Sequence, residues 1–140
     1  MKYLLLTCFL LAVADAQLTV PPSNPITSSD VLRLYNIMVA PFISQCICAT
    51  GVNPVFVDRF LTKFEFPNDA CFKCFLKCLA TSLSITHPDG SMYVETVLKI
   101  IPSANATMNT QCDNQSKDNL DLCERIWLYG QCYASFVGLA

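Results

Sequence analysis

A chain of 140 residues is about one domain long. Its net charge of −2, with no basic stretch, excludes the electrostatic footprint of a nucleic-acid binder. Charged residues make up 14%, against ~25% in average proteins, and apolar residues 53%, so the domain needs a generous core or an apolar interior space.

Residues 1–16 read as a secretory signal peptide. Lys2 supplies the basic start, Tyr3 through Val13 the apolar run, and Ala14-Asp15-Ala16 a small-x-small cleavage site. The run is well short of the ~20 residues of a bilayer span. Arg33, Asn36, Gln45 and Asp58 interrupt the later apolar runs, so no stable membrane insertion is expected. Cleavage after Ala16 leaves residues 17–140 as one secreted, extracellular domain.

Residues 17–27 (QLTVPPSNPIT) hold three prolines and no periodicity, and read as an extended arm. Ser28 or Ser29 is placed to cap a helix, with Asp30 favourable in its first turn. DVLRLYNIMV continues that helix until Pro41, which lacks an N–H and breaks or kinks it. PFISQCICA starts again with proline at the first helical position and ends at Gly51. Asn53 caps a third piece, PVFVDRFLTK, and FEFPND is a loop. Asn68 or Asp69 opens the next helix, which runs to about Ser84. THPDGS is turn chemistry. In MYVETVLKII, Val94, Val97, Leu98 and Ile101 form one helical stripe opposite Ser91, Glu95 and Lys99, and Pro102 stops it. A short helix over roughly 105–113 and a last one from about Leu120 to Val137 complete the chain. No strand alternation and no repeat appears, so the fold class is all-α.

Cys8 leaves with the signal, and eight cysteines remain: Cys46, Cys48, Cys71, Cys74, Cys78, Cys112, Cys123 and Cys132. An even count in a small secreted chain reads as four disulfides. The competing reading is a metal cluster built on Cys46-x-Cys48 and Cys71-x2-Cys74, but oxidising conditions consume its thiols. On a helix, Cys71, Cys74 and Cys78 fall on one stripe, so each must reach to another segment. Cys123 and Cys132 are nine steps, about two and a half turns, apart and point to opposite sides of the last helix.

The spacing Cys46-x27-Cys74-x3-Cys78-x33-Cys112-x10-Cys123-x8-Cys132 resembles the six-cysteine framework of insect odorant-binding proteins, the pheromone and general odorant-binding family. The x3 and x8 gaps are its most specific feature. Cys46-Ile47-Cys48-Ala49-Thr50-Gly51-Val52 is similar to the family's first-cysteine stretch ending in Thr-Gly-Val. Pro88-Asp89-Gly90 resembles its loop before the fourth helix, and Cys123-Glu124-Arg125 the start of its last helix. The resemblance implies the pairs Cys46–Cys78, Cys74–Cys123 and Cys112–Cys132. Cys48 and Cys71 are then left over, nested inside the first pair, and a fourth bond between them is expected. The gap from Cys78 to Cys112 is short for the family, which points to a short fifth helix around PSANATMNTQ. Only eight residues follow Cys132, too few for a long covering tail.

By the same resemblance the domain is a compact six-helix, disulfide-stapled cup around an apolar cavity. It would carry a small hydrophobic ligand, an odorant or pheromone, through extracellular fluid. The implied partners are that ligand and a chemoreceptor, with the carrier a monomer or weak homodimer. Tyr133, directly after Cys132, stands where the family commonly has a pocket aromatic. The stripe Val94, Val97, Leu98 and Ile101 reads as core or as cavity wall. Met108 and Trp127 complete the expected lining, and Phe136 and Leu139 fold over the opening. Tyr35, Tyr93 and Tyr129 offer hydroxyls to a ligand with one oxygen. Two other readings are a lipid- or membrane-interacting helical protein and a protein-interaction module of the same disulfide-rich type. No cofactor or metal is expected, and no catalysis: the single histidine, His87, lies in a turn, and no nucleophile elbow, metal motif or phosphate loop is present. Asn105 and Asn114 head glycosylation sequons.

Overall fold

The computed structural model describes residues 25–139; the signal peptide and most of the proline-rich arm lie outside them. The helices are α1 (Ser28–Val39), α2 (Ile43–Thr50), α3 (Pro54–Lys63), α4 (Ala70–Ser82), α5 (Val94–Ile100), α6 (Ala106–Ser116) and α7 (Leu122–Phe136). A 3-10 turn over Ala40–Phe42 joins α1 to α2. Proline at 41 therefore tightens the rod without breaking it, and α1 and α2 run on as one bent helix, Ser28–Thr50. The seven pieces make six rods. By length and composition the 23-residue bent rod is apolar enough to cross a bilayer. That corrects the expectation that Arg33, Asn36 and Gln45 leave no run of span length. Here the rod is a wall of the bundle, tied to α4 through Cys46.

Local chemistry fixes most helix starts. Thr27, rather than Ser28 or Ser29, caps α1: its hydroxyl accepts from the Asp30 N–H while the Asp30 carboxylate accepts from the Thr27 N–H, a reciprocal capping box. Asn53, Asp69, Asn105 and Asp121 cap α3, α4, α6 and α7 by the one-way bond alone, each side chain accepting a backbone N–H of the first turn. Gly51 closes α2 in the left-handed conformation, φ 64°. The short element before the last helix is α5, of seven residues, while α6 has eleven. The helix over the stretch PSANATMNTQ, expected to be short, is thus the longer of the two.

α4 lies between α2 and α7, and α6 packs on the far side of α7. Each of these three seams carries one disulfide: Cys46–Cys78 for α2 and α4, Cys74–Cys123 for α4 and α7, Cys112–Cys132 for α6 and α7. The core between them is dominated by Phe60, Phe72, Phe75 and Leu79, all fully buried.

The expected fourth bond is not formed, and Cys48 and Cys71 are free and exposed. Helix geometry gives the reason. Cys46 turns into the bundle to meet α4, and Cys48, two residues on, is rotated by about 200° and faces away. Cys71 sits seven residues before Cys78, about 10 Å along α4. Nesting in sequence places two residues together in paired strands, not in paired helices. Alkylation of the folded, unreduced protein is accordingly expected to label Cys48 and Cys71 and no other cysteine of residues 25–139; mass mapping that finds them blocked as a pair would refute this.

Candidate functional site: an aromatic cavity at the centre of the bundle

α3 ends where the chain has aromatic residues at 60, 64 and 66. Phe64 takes the left-handed conformation, φ 56°, and its N–H returns to the Phe60 carbonyl while that of Glu65 returns to Arg59. This cap folds the loop back over the helix end. For a residue with a side chain the left-handed conformation costs about 1–2 kcal/mol. Ring packing offsets it: Phe64 stacks on Phe60 at 5.1 Å and meets Phe66 edge-on at 5.3 Å and Tyr133 at 6.2 Å. Tyr35 of α1 stands edge-on to Phe60 at 5.5 Å and to Phe64 at 5.3 Å.

These rings enclose one end of a cavity of about 70 Å3. Leu76 and Ala80 of α4, Ile85 and Met92 of the following loop, and Ile101 supply the opposite walls. Ile126, Tyr129, Gly130 and Tyr133 of α7 close it. Gly130 leaves room for Phe66 there: a Cβ at that position would lie 2.8 Å from Cε1 of Phe66 and push the ring aside. The volume is well below the ~300–1,000 Å3 of pockets that take drug-sized ligands, so a larger guest has to push rings aside. Phe64 and Phe66 are the rings placed for this, because they also line an outer groove with Leu128 and Leu139.

No side chain lining the cavity carries a charge, and the polar side chains among its lining are three tyrosines. Tyr133 donates to the Pro102 carbonyl at 2.7 Å, and Tyr129 to Oδ1 of Asn109 at 2.8 Å. Tyr35 has no hydrogen-bond partner among the described residues. Burial pushes all three phenols up, Tyr129 to about 12 with the Asp113 carboxylate adding to it, and Tyr35 and Tyr133 further, each with a neighbouring tyrosine adding to burial. All three stay neutral donors.

Of the nine side chains expected around a ligand, Ile101 and Tyr133 line this cavity. Val97 and Met108 are buried in the packed core and do not reach it. Val94 and Leu98 are exposed, since α5 is rotated so that Val97 and Ile100, not Val97 and Leu98, face inward. Phe136 is 43% exposed, and Leu139 lies in the outer groove. Trp127 is on the α4–α7 seam, where the Lys73 ammonium sits 4.4 Å over its ring and pairs with Glu124. Asn105 and Asn114 are both exposed on α6. The aromatic wall from α3 and its cap was missed because Phe60 reads as one apolar residue on an amphipathic helix and FEFPND as a connecting loop. The signal available was three phenylalanines within seven residues.

Comparison with known proteins finds both a family model and curated relatives. The model of the PBP/GOBP family matches residues 35–135. General odorant-binding protein 69a of Drosophila melanogaster is 24% identical over 98 residues, which cover 67% of this chain and 65% of that protein, just under two thirds of its length. No solved structure matches.

Proposed function

The chain belongs to the PBP/GOBP family, and from that premise we propose that it is a secreted carrier that takes a small hydrophobic ligand into the aromatic cavity and moves it through extracellular fluid. The observation that carries this reading is an uncharged cavity walled by tyrosine and phenylalanine rings and lined by residues of α1, α3, α4 and α7. The work of binding is burial. At ~25 cal/mol per Å2 of apolar surface removed from water, a ligand of about twelve carbons gains several kcal/mol, enough for micromolar affinity. Three disulfides hold the helices while the Phe64–Phe66 loop yields to admit the guest.

A naphthylamine probe that fluoresces in apolar surroundings is expected to bind the oxidised protein with micromolar affinity and to be displaced by medium-chain volatiles. Gly130→Ala should weaken that binding about tenfold, because the new methyl displaces Phe66 from its seat. The melting temperature should change little, since alanine gains about 1 kcal/mol of helix propensity over glycine. Unchanged affinity in Gly130→Ala would take Phe66 out of the site, and failure of the wild type to bind any apolar probe would remove the carrier reading.

A further inference from the structure

Resting on the secreted part of the carrier reading, we infer that Asn105 carries an N-linked glycan, that Asn114 is its minor counterpart, and that the sugar covers the outer face of α6. Both asparagines stand in sequons, Asn105-Ala106-Thr107 and Asn114-Gln115-Ser116. A secreted chain meets the enzyme that transfers a sugar from a lipid-diphosphate oligosaccharide to such an asparagine. The amide nitrogen bonds to the anomeric carbon of the sugar, and the bond from that carbon to the diphosphate breaks. The lipid diphosphate leaves, and the amide proton goes to a base. The folded domain has room for the product at both sites, since both side chains are exposed. Their oxygens are the engaged atoms: that of Asn105 accepts the Met108 N–H at 2.9 Å, and that of Asn114 the Lys117 ammonium at 3.0 Å. Neither amide nitrogen donates a hydrogen bond among the described residues, so Asn105 caps α6 with or without a sugar.

The face they flank fits this use. Ala106, Thr107, Thr110, Gln111, Asn114 and Gln115 line a shallow outer groove with hydroxyls, amides and small methyls. The one charge of α6, Asp113, pairs with Arg125 of α7, and its largest apolar side chain, Met108, is buried in the core. With no ion and no large apolar group, that groove offers a protein partner little to hold. Sugar hydroxyls, in contrast, meet donors and acceptors along its length. The two sequons differ in how long they stay readable. Asn105 is extended, φ −143° and ψ 167°, and Thr107 is exposed. Ser116 is 1% exposed, and its hydroxyl donates to the Cys112 carbonyl at 3.0 Å. Asn114 itself lies inside the helix, just past a cysteine pinned to α7 by the Cys112–Cys132 bond. Folding of α6 thus takes the hydroxyl of the second sequon out of reach and leaves the first sequon open.

The test is site mapping on the full chain, signal peptide included, produced in insect cells. Peptide N-glycosidase in heavy-oxygen water leaves each formerly glycosylated asparagine as a labelled aspartate, which peptide mass mapping counts. Asn105 is expected to be labelled in most secreted copies and Asn114 in a minority. Asn105→Asp should lose the major glycan and still start α6, because aspartate caps as well as asparagine. Thr107→Ala should lose the same glycan with the cap untouched. Replacing Cys112 and Cys132 together by alanine frees α6 from α7, and Asn114 labelling should then rise toward that of Asn105. It is read in whole-cell extract, so poor secretion of the variant does not affect it. Secreted wild type without sugar at Asn105, or with more at Asn114 than at Asn105, would overturn the inference. So would Asn114 labelling that stays low in the double variant. A wild-type chain that keeps residues 1–16 and never reaches the medium would remove secretion itself, and this inference with it.

Discussion

Val97→Asp is expected to abolish folding rather than to weaken ligand binding alone. Val97 is fully buried on the inward face of α5, behind the cavity and not on its wall. The charged groups of its own helix, Glu95 and Lys99, are exposed, so a carboxylate at position 97 has no partner within reach on that helix. Losing the valine forfeits about 1.5–3 kcal/mol of burial, and an unpaired ion adds several more. The sum is comparable with the ~5–15 kcal/mol that stabilises a domain. Desolvation raises the folded-state pKa of the introduced carboxyl above its unfolded value of ~3.9. The penalty is therefore full at neutral pH and shrinks as the pH falls through that raised value, so acid should recover part of the helical signal. Circular dichroism against temperature at pH 7 and in mild acid reads both effects. A variant that melts like the wild type but no longer binds ligand would place Val97 on the cavity wall and contradict the arrangement described here.

How far the molecule is legible in its sequence differs from element to element, for physical reasons. Helix ends are local events: Asn53-Pro54 and Asp69 announce starts and Gly51 a stop, through one or two hydrogen bonds each. The expected cap of α1, Ser28 or Ser29, falls one or two residues late because three consecutive hydroxyl side chains, Thr27, Ser28 and Ser29, compete for one cap, and the reciprocal bond with Asp30 favours Thr27. The all-α class follows from the absence of any period-two pattern. Faces are harder. Val94, Val97, Leu98 and Ile101 share a stripe, but a seven-residue helix is oriented by its neighbours, and here Ile100 turns inward in place of Leu98. Ile101, the residue that ends the helix, lies on the cavity wall. The site was least legible of all. Tyr35, Phe60, Phe64, Phe66 and Tyr133 meet through a left-handed cap at Phe64, a conformation that no sequence rule assigns to phenylalanine. It is held by packing among residues far apart in the chain.

The second large effect is expected from the Cys74–Cys123 bond. It joins α4 to α7 across 49 residues of sequence, against 32 for Cys46–Cys78 and 20 for Cys112–Cys132. Loop-closure entropy grows only as the logarithm of length. The three bonds should then contribute ~4, ~3.7 and ~3.3 kcal/mol, a spread too narrow to rank them on entropy alone. Position adds to it. α4 and α7 supply Leu76, Ala80, Ile126, Tyr129, Gly130 and Tyr133 to the cavity, and this bond fixes the distance between those two walls. Replacing both Cys74 and Cys123 by alanine, so that no stray thiol is left to pair with the exposed Cys71 or Cys48, should lower the melting temperature by about 12–20 °C. It should also lower probe affinity. Replacing Cys48 and Cys71 together, two exposed and unbonded residues, should change stability by no more than about 0.5 kcal/mol. Thermal melts and secreted yields of the two double variants, measured side by side, decide the matter. Equal losses would mean that Cys48 and Cys71 are bonded in the secreted protein, and that the bundle has a fourth staple which pulls α2 and the start of α4 together.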